Sequence, residues 1–302
     1  FPAYQAMVPD LVPREDLLAA VAMSSAQFNL GRVLGPALAG LVLLTHDYAL
    51  VFGINAASFG AVVVALLLVR LPRHPRSADH TSVAARIAVG VRTAFGEPGC
   101  RAAIGLITVV ALLASPFIAL VPAMAGVVRH PGLANATATS VLVTAQGIGA
   151  VAGALSLPSA AERVGRGRLL SGALAVLPLL LVGYALAPNL ALSAVALFAV
   201  GAGYIAVLSG LNTVVQIRAP AAARGRVLSI YMMGLGLVYP IGAVVQGSIA
   251  DAAGLRVVTA VGALVLLAVL AVVSLGRPSV LQALGDPEPA AVAPLVALEE
   301  PL

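Results

Sequence analysis

The sequence predicts an all-α membrane protein with eight transmembrane helices, and three observations lead there. Hydrophobic residues make up 61% of the 302 positions and charged residues only 10%, where a soluble domain carries roughly a quarter charged residues. Apolar runs recur at membrane-spanning length, since a helix needs about 20 such residues at about 1.5 Å each to cross a core of about 30 Å. The basic residues, all of them arginine, collect in alternate connections between those runs. This composition excludes a pair of soluble domains and a disordered chain. The single cysteine, Cys100, excludes an internal disulfide framework. A pI near 10.0 suits nucleic-acid binding only when the arginines cover a polar surface. Here they punctuate apolar runs, so no nucleic-acid partner is expected.

The chain starts at Phe1 without the charged n-region, short apolar stretch and cleavage site of a signal peptide. Phe1-Pro2-Ala3-Tyr4 reads as the end of an apolar segment already under way, so a fragment lacking its N-terminal part is expected. The spans run approximately Leu17–Leu44, Tyr48–Leu71, Ala102–Val128, Ala138–Ser159, Leu169–Ala187, Leu190–Val215, Val227–Ala250 and Leu255–Leu275. Their length favours helices, because the strands of a membrane barrel alternate over about ten residues. Interior Gly and Pro are tolerated in such helices.

Arg14, Arg70, Arg73, Arg76, Arg86, Arg92, Arg101, Arg163, Arg166, Arg168, Arg218, Arg224, Arg226 and Arg277 fall on one set of flanks. Arg129 and Arg256 fall on the other, and Arg32 lies inside the first span. Positive charge gathers in cytoplasmic loops, so both ends of the chain are expected in the cytoplasm of a multi-pass plasma-membrane protein.

The long connection from Pro72 to Gly99 contains three prolines, and Val83, Ile87, Val91 and Phe95 recur in it every four residues. An amphipathic helix lying on the cytoplasmic face fits this spacing; a plain linker fits it too. From Gly276 the chain is rich in Pro and acid, which predicts a disordered tail.

Two stretches repeat one another with small gaps. Gln5, Pro9, Arg14, Leu18, Gly35 and Gly40 correspond to Gln216, Pro220, Arg224, Leu228, Gly242 and Gly247. Parallel repeats of this kind mark transporters, although Gly and Pro also match by chance in so biased a sequence. Phe1 to Leu18, Asn29 to Gly40 and Gln216 to Gly254, including Arg224-Gly-Arg-Val-Leu-Ser-Ile-Tyr231, resemble the major facilitator superfamily, in particular its enterobactin-exporter and macrolide-efflux branch. The resemblance implies that the eight spans are helices 5 to 12 of a twelve-helix transporter. Residues 1–16 then end helix 4 and its loop, and 17–71 hold the last two helices of the N-terminal half. Residues 72–101 link the halves, 102–275 form the C-terminal six-helix half, and 276–302 are the tail.

Two signatures of that superfamily can be sought. Gly31, Gly35, Pro36 and Gly40 fit the Gly-rich antiporter motif of helix 5. Gly31 and Gly35 lie one turn apart and permit close helix approach; Gly149 and Gly153 offer a matching surface, and Gly242 and Gly247 are the repeat's counterpart. Generic small-residue packing explains the same residues. Glu162, Arg163, Gly165, Arg166 and Arg168 resemble a degenerate copy of the cytoplasmic loop motif, which braces helix ends by charge pairing; ordinary positive-inside residues are the alternative.

Ionisable groups inside a bilayer point to function, and only Arg32 qualifies. With Asn29 one turn away it either attracts an anionic substrate or anchors a neighbouring helix. Asn55, Gln146, Tyr204, Asn212, Gln216 and Tyr231 are the principal polar candidates for a substrate pathway, with Gln27, Thr213, Tyr239 and Gln246 beside them. No Asp or Glu lies within a span, so a proton-coupling carboxylate is expected upstream of Phe1. The four histidines lack metal-ligand spacing, and there is no phosphate loop. No enzyme activity, cofactor or metal is therefore expected. The function this supports is proton-coupled efflux of small molecules of the drug or siderophore class by alternating access, from a monomer when full length. A membrane sensor or scaffold that keeps the fold is the alternative.

Overall fold

The computed structural model describes residues 48–68, 83–220 and 223–285, and the isolated positions 27, 31, 38 and 42. Among these the protein is helical, with no extended structure beyond an isolated bridge between Arg129 and Asn189. The helices are α1 (Tyr48–Leu68), α2 (Val83–Gly96), α3 (Pro98–Leu113), α4 (Phe117–Val127), α5 (Asn135–Val164), α6 (Arg166–Leu186), α7 (Leu190–Arg218), α8 (Arg224–Ala253), α9 (Leu255–Gly276) and α10 (Pro278–Gln282). Seven segments are long and apolar enough to cross a membrane, with α3 and α4 together making one of them. They correspond to seven of the eight expected spans; the first, Leu17–Leu44, lies outside the described residues apart from those four isolated positions, and the tail beyond residue 285 lies outside them too.

Six of these spans pack into one bundle. α7 runs against α5 and α6, α8 against α3, and α9 against α6. The α3–α4 span is the most enclosed, with 61% of its apolar window buried against 17% for α8. The core therefore sits where α3, α4, α6 and α7 meet, around Ile107, Val121, Leu177, Leu181 and Leu211. A helix embedded in lipid gains little from burying apolar area, and close backbone approach carries its packing instead. The α5–α7 crossing shows this directly. A Cβ on Gly149 would stand 1.9 Å from the Phe198 carbonyl oxygen, one on Gly153 2.7 Å from Ala202 Cα, and one on Gly201 2.2 Å from the Gln146 carbonyl oxygen. Gly149 and Gly153 thus serve α7. The expectation that they match Gly31 and Gly35 is corrected, because the face they present is already filled.

Local chemistry sets the helix ends. Asn189 caps α7 by accepting from the Leu192 amide at 3.0 Å. Glu97 caps α3, with Pro98 at its first position. Gly165 alone joins α5 to α6 at φ 86°, and Gly254 alone joins α8 to α9 at φ 87°. Only glycine takes that conformation without steric cost. Each Gly follows a 30-residue helix and precedes one of 21 or 22 residues. The bundle thus repeats a span, long helix, elbow, short helix pattern, the nested three-helix repeat of a transporter half.

The long connection does contain a helix. α2 packs Gly90 and Ala94 inward, with the position a Gly90 Cβ would take 3.2 Å from Arg226 Cβ on α8. Of the expected stripe, Val91 and Phe95 are exposed and do not form this contact.

Candidate functional site

Pro116 generates the central polar site. Its nitrogen cannot donate to the Leu112 carbonyl, and the ladder breaks around it. The amides of Ala114 and Ser115 both bond the Val110 oxygen at 2.9 Å, and the Phe117 amide turns to the Ala114 oxygen at 3.2 Å. The carbonyls of Leu112 and Leu113 lose their helical donors in the middle of an apolar bundle, where unpaired acceptors are costly. Gln246 of α8 repairs this: its Nε2 donates to both oxygens, at 3.0 Å each. Gly242 gives the room, since a Cβ there would stand 2.5 Å from the Leu112 oxygen, and Gly262 of α9 does the same beside Leu113.

The break also exposes Ser115, which donates from Oγ to the Val110 oxygen at 3.2 Å. With that proton committed, Tyr204 Oη of α7 donates to Ser115 Oγ across 2.9 Å. Phe117 meets the Tyr204 ring edge-on, 5.5 Å between centroids and 84° between planes. One discontinuous span is thus pinned to α7 by Tyr204 and to α8 by Gln246, with Gly262 letting α9 approach closely.

A second cluster ties the arginine-rich end of the bundle. Arg218, the last residue of α7, stands 3.6 Å from a Glu97 carboxylate oxygen and donates from Nη2 to the Gly285 oxygen at 2.7 Å. Glu97 also accepts from the Cys100 amide, and Arg101 donates to the Phe95 oxygen at 3.0 Å, closing the end of α2. The ends of α2, α3 and α7 and the segment after α10 therefore share one junction.

Residues 1–299 match the family described as transmembrane secretion effector. The chain belongs to that family, within the major facilitator superfamily. Among curated relatives it is 28% identical over 262 residues to the multidrug efflux pump Tap of Mycolicibacterium fortuitum, covering 84% of this chain. It is 31% identical over 239 residues to the enterobactin exporter EntS of Escherichia coli O1:K1, covering 76% of this chain. The chain spans 62% and 54% of the lengths of those two relatives. A crystal structure of a bacterial homologue of the human lysosomal transporter Spinster, inward-facing and unoccupied, shares the fold: the TM-score is 0.51 at 14% identity, over 92% of this chain and 73% of that one.

Within this secretion-effector bundle the expected pathway residues separate. Asn29, Arg32, Gly35, Pro36 and Gly40 lie outside the described residues; Gly31 is helical with open space where a Cβ would be. Asn55 is exposed on α1, and Gln146 is half-buried on α5 beside the Gly201 approach. Tyr204 belongs to the central site. Asn212 is buried and accepts from Gln216 of the same helix. Tyr231 is a correction: its ring is buried and its hydroxyl donates to the Leu208 oxygen at 3.1 Å, so it anchors α8 to α7 instead of lining a pathway. Gln246 is likewise an internal cap. Gly247 does not share the packing role of Gly242, and nothing lies within 4 Å of a Cβ there. Five residues place the two about 140° apart around the helix.

Of the loop motif, Gly165 forms the α5–α6 elbow, while Glu162, Arg163, Arg166 and Arg168 are exposed. Glu97 and Arg218, both outside the motif, form an ion pair between helix ends. The Glu97-Pro98 cap signature and the Ser115-Pro116 pair were the available signals for the two clusters. Among the described residues no group of His, Cys, Asp and Glu is arranged to hold a metal ion.

Proposed function

We propose that this chain forms the last eight spans of a twelve-span secondary transporter that exports small molecules of the drug or siderophore class, driven by protons through alternating access. The central discontinuous span supports this reading most. Transporters build their sites where helices break at mid-membrane depth and irregular backbone is sheltered by protein. The Ser115–Tyr204 contact and the Gln246 cap hold such a break. The printed functions of Tap and EntS suggest the substrate classes, and residues 72–101 are read as the link between halves. Arg218, Arg166 and the α2–α8 contact at Arg226 gather at one end of the bundle, in keeping with a cytoplasmic face there.

The test is transport into energised inside-out vesicles carrying the full-length protein. Uptake of a dye, a macrolide or a catecholate siderophore should appear on energisation and disappear with a protonophore. Uptake that survives the protonophore removes the proton from the mechanism. No movement of any of the three leaves the sensor or scaffold as the reading of the fold.

A further inference from the structure

A cavity of about 430 Å³ lies away from the central site, walled by the C-terminal part of α5 and the start of α6, with α7 as its floor. α5 and α6 meet at the Gly165 elbow, and beyond it each packs on α7 more than on the other. The space fills that fork. Its deep walls are aliphatic, with Leu157, Leu170, Ile205 and Ala206. Arg166 and Arg218 stand at the end beside the elbow, but neither calls for an anion. Arg218 is paired with Glu97 and bonded to Gly285, and Arg166 is engaged as well.

The unmet group lies in the wall. Pro158 sits inside α5 and has no N–H, so the Ala154 oxygen loses its helical donor. Ala154 and Pro158 both line the cavity. In the central span Gln246 repairs the break at Pro116. Among the described residues no side chain does so here: the nearby hydroxyls of Ser156 and Ser159 donate to the Gly153 oxygen at 2.9 Å and to the Ser156 oxygen at 3.1 Å. Eleven residues separate Ala154 from Gly165, about 16 Å along the helix, against about 15 Å of hydrocarbon in one leaflet. The acceptor therefore lies well inside the hydrocarbon, where an unpaired one is costly. Pro122, Pro178 and Pro240 are also inside helices, but none of them borders the cavity.

We propose that this cavity binds one uncharged, lipid-soluble phenol or alcohol, with its hydroxyl donating to the Ala154 oxygen. A dry apolar cavity of about 150 Å³ holds benzene, so a body roughly three times as large fits here. An acyl chain of a bilayer lipid matches the aliphatic walls but brings no donor to the carbonyl. Water brings a donor but leaves apolar walls wet, and such walls stay dry. A compact apolar molecule with one hydroxyl satisfies both, and it arrives through the bilayer without passing the arginine end. Largely apolar walls with a placed polar group are the usual make-up of a small-molecule site. The site is separate from the transport pathway and stands whatever the protein exports.

The test uses the full-length protein in phosphatidylcholine nanodiscs and a photoreactive analogue of the phenol propofol. Unlabelled propofol and its methyl ether, which keeps the bulk without the donor, compete at matched membrane concentrations. The label should map to α5 near Pro158 and to α7 near Ile205. Propofol should compete about fivefold better than the ether, the worth of one net hydrogen bond. Pro158→Ala returns an amide donor to the Ala154 oxygen, so in that variant propofol should lose its advantage while the ether competes as before. Equal competition in the parent overturns the proposal, and so does an advantage that survives Pro158→Ala. Labelling confined to other parts of the protein overturns it too. An isotope-labelled carbonyl at Ala154 in the unaltered protein gives a readout that needs no substitution. Its infrared band should move to lower frequency with propofol and stay in place with the ether; a band unmoved by propofol overturns the assignment.

Discussion

Replacing Gly149 by Ala sets two effects of opposite sign against each other. In an open helix the change is favourable by up to about 1 kcal/mol, because Ala loses less backbone freedom on forming helix. At Gly149 the new Cβ stands 1.9 Å from the Phe198 carbonyl oxygen, and ordinary contact starts near 3.4 Å, so the backbones must separate by about 1.5 Å. No flexible side chain can absorb this, since the obstructing atom is backbone. A gap of 0.5–1 Å already forfeits a quarter to a half of each dispersion contact, and the same displacement opens the crossing at Gly153 and Gly201. Overpacking costs typically 1–3 kcal/mol and sometimes more, so the net change is a loss of about 2 kcal/mol or more. Gly172 on α6 is the control, with nothing within 4 Å of its would-be Cβ. Reversible unfolding in mixed micelles, followed by far-UV circular dichroism against the denaturing detergent fraction, should show Gly149→Ala unfolding early and Gly172→Ala at or above the parent. A Gly149→Ala midpoint equal to that of Gly172→Ala would refute the view that backbone contact holds this crossing.

Three further outcomes follow from named contacts. Gln246→Leu leaves the Leu112 and Leu113 oxygens without their donor and should cost about 2 kcal/mol in the same unfolding assay. Tyr231→Phe removes the bond to the Leu208 oxygen and should cost about 0.6 kcal/mol, the mean for such bonds in membranes; a loss as large as that of Gln246→Leu contradicts a purely anchoring role. Arg218→Gln releases Gly285 and Glu97 together. Hydrogen exchange at residues 278–285 should accelerate while the amides of α6 keep their protection; unchanged exchange at 278–285 shows that the junction is held by other contacts.

Hydropathy revealed the spans because it senses what lipid requires. It placed their ends too far inside: α5 runs Asn135–Val164 where Ala138–Ser159 was expected, and α7 reaches Arg218 where Val215 was expected. Those extra turns lie at the polar border and carry no apolar signal. The break at Ala114–Pro116 did not interrupt the hydropathy signal, since three residues amid a long apolar run barely lower its mean, and only the Ser115-Pro116 pair marked it. Polar residues within the spans stood out in the sequence, but not their partners. Whether Gln246 lines a pathway or caps a carbonyl depends on which backbone groups a distant Pro has freed. No periodicity within α8 records that. Gly149 and Gly153 were recognisable as a contact face, but the sequence names no partner for it.

The two glycine elbows bear on how such a bundle deforms. A connection of one residue has no slack, so α5 with α6, and α8 with α9, are each fixed at a vertex, one at either rim of the bundle. Relative tilting within a pair must be taken up at the far tips of its arms. Strain introduced at one rim therefore emerges at the other, as with two interlocked callipers pivoted at opposite ends. The longer connections at 128–134 and 187–189 are where the chain has length to yield.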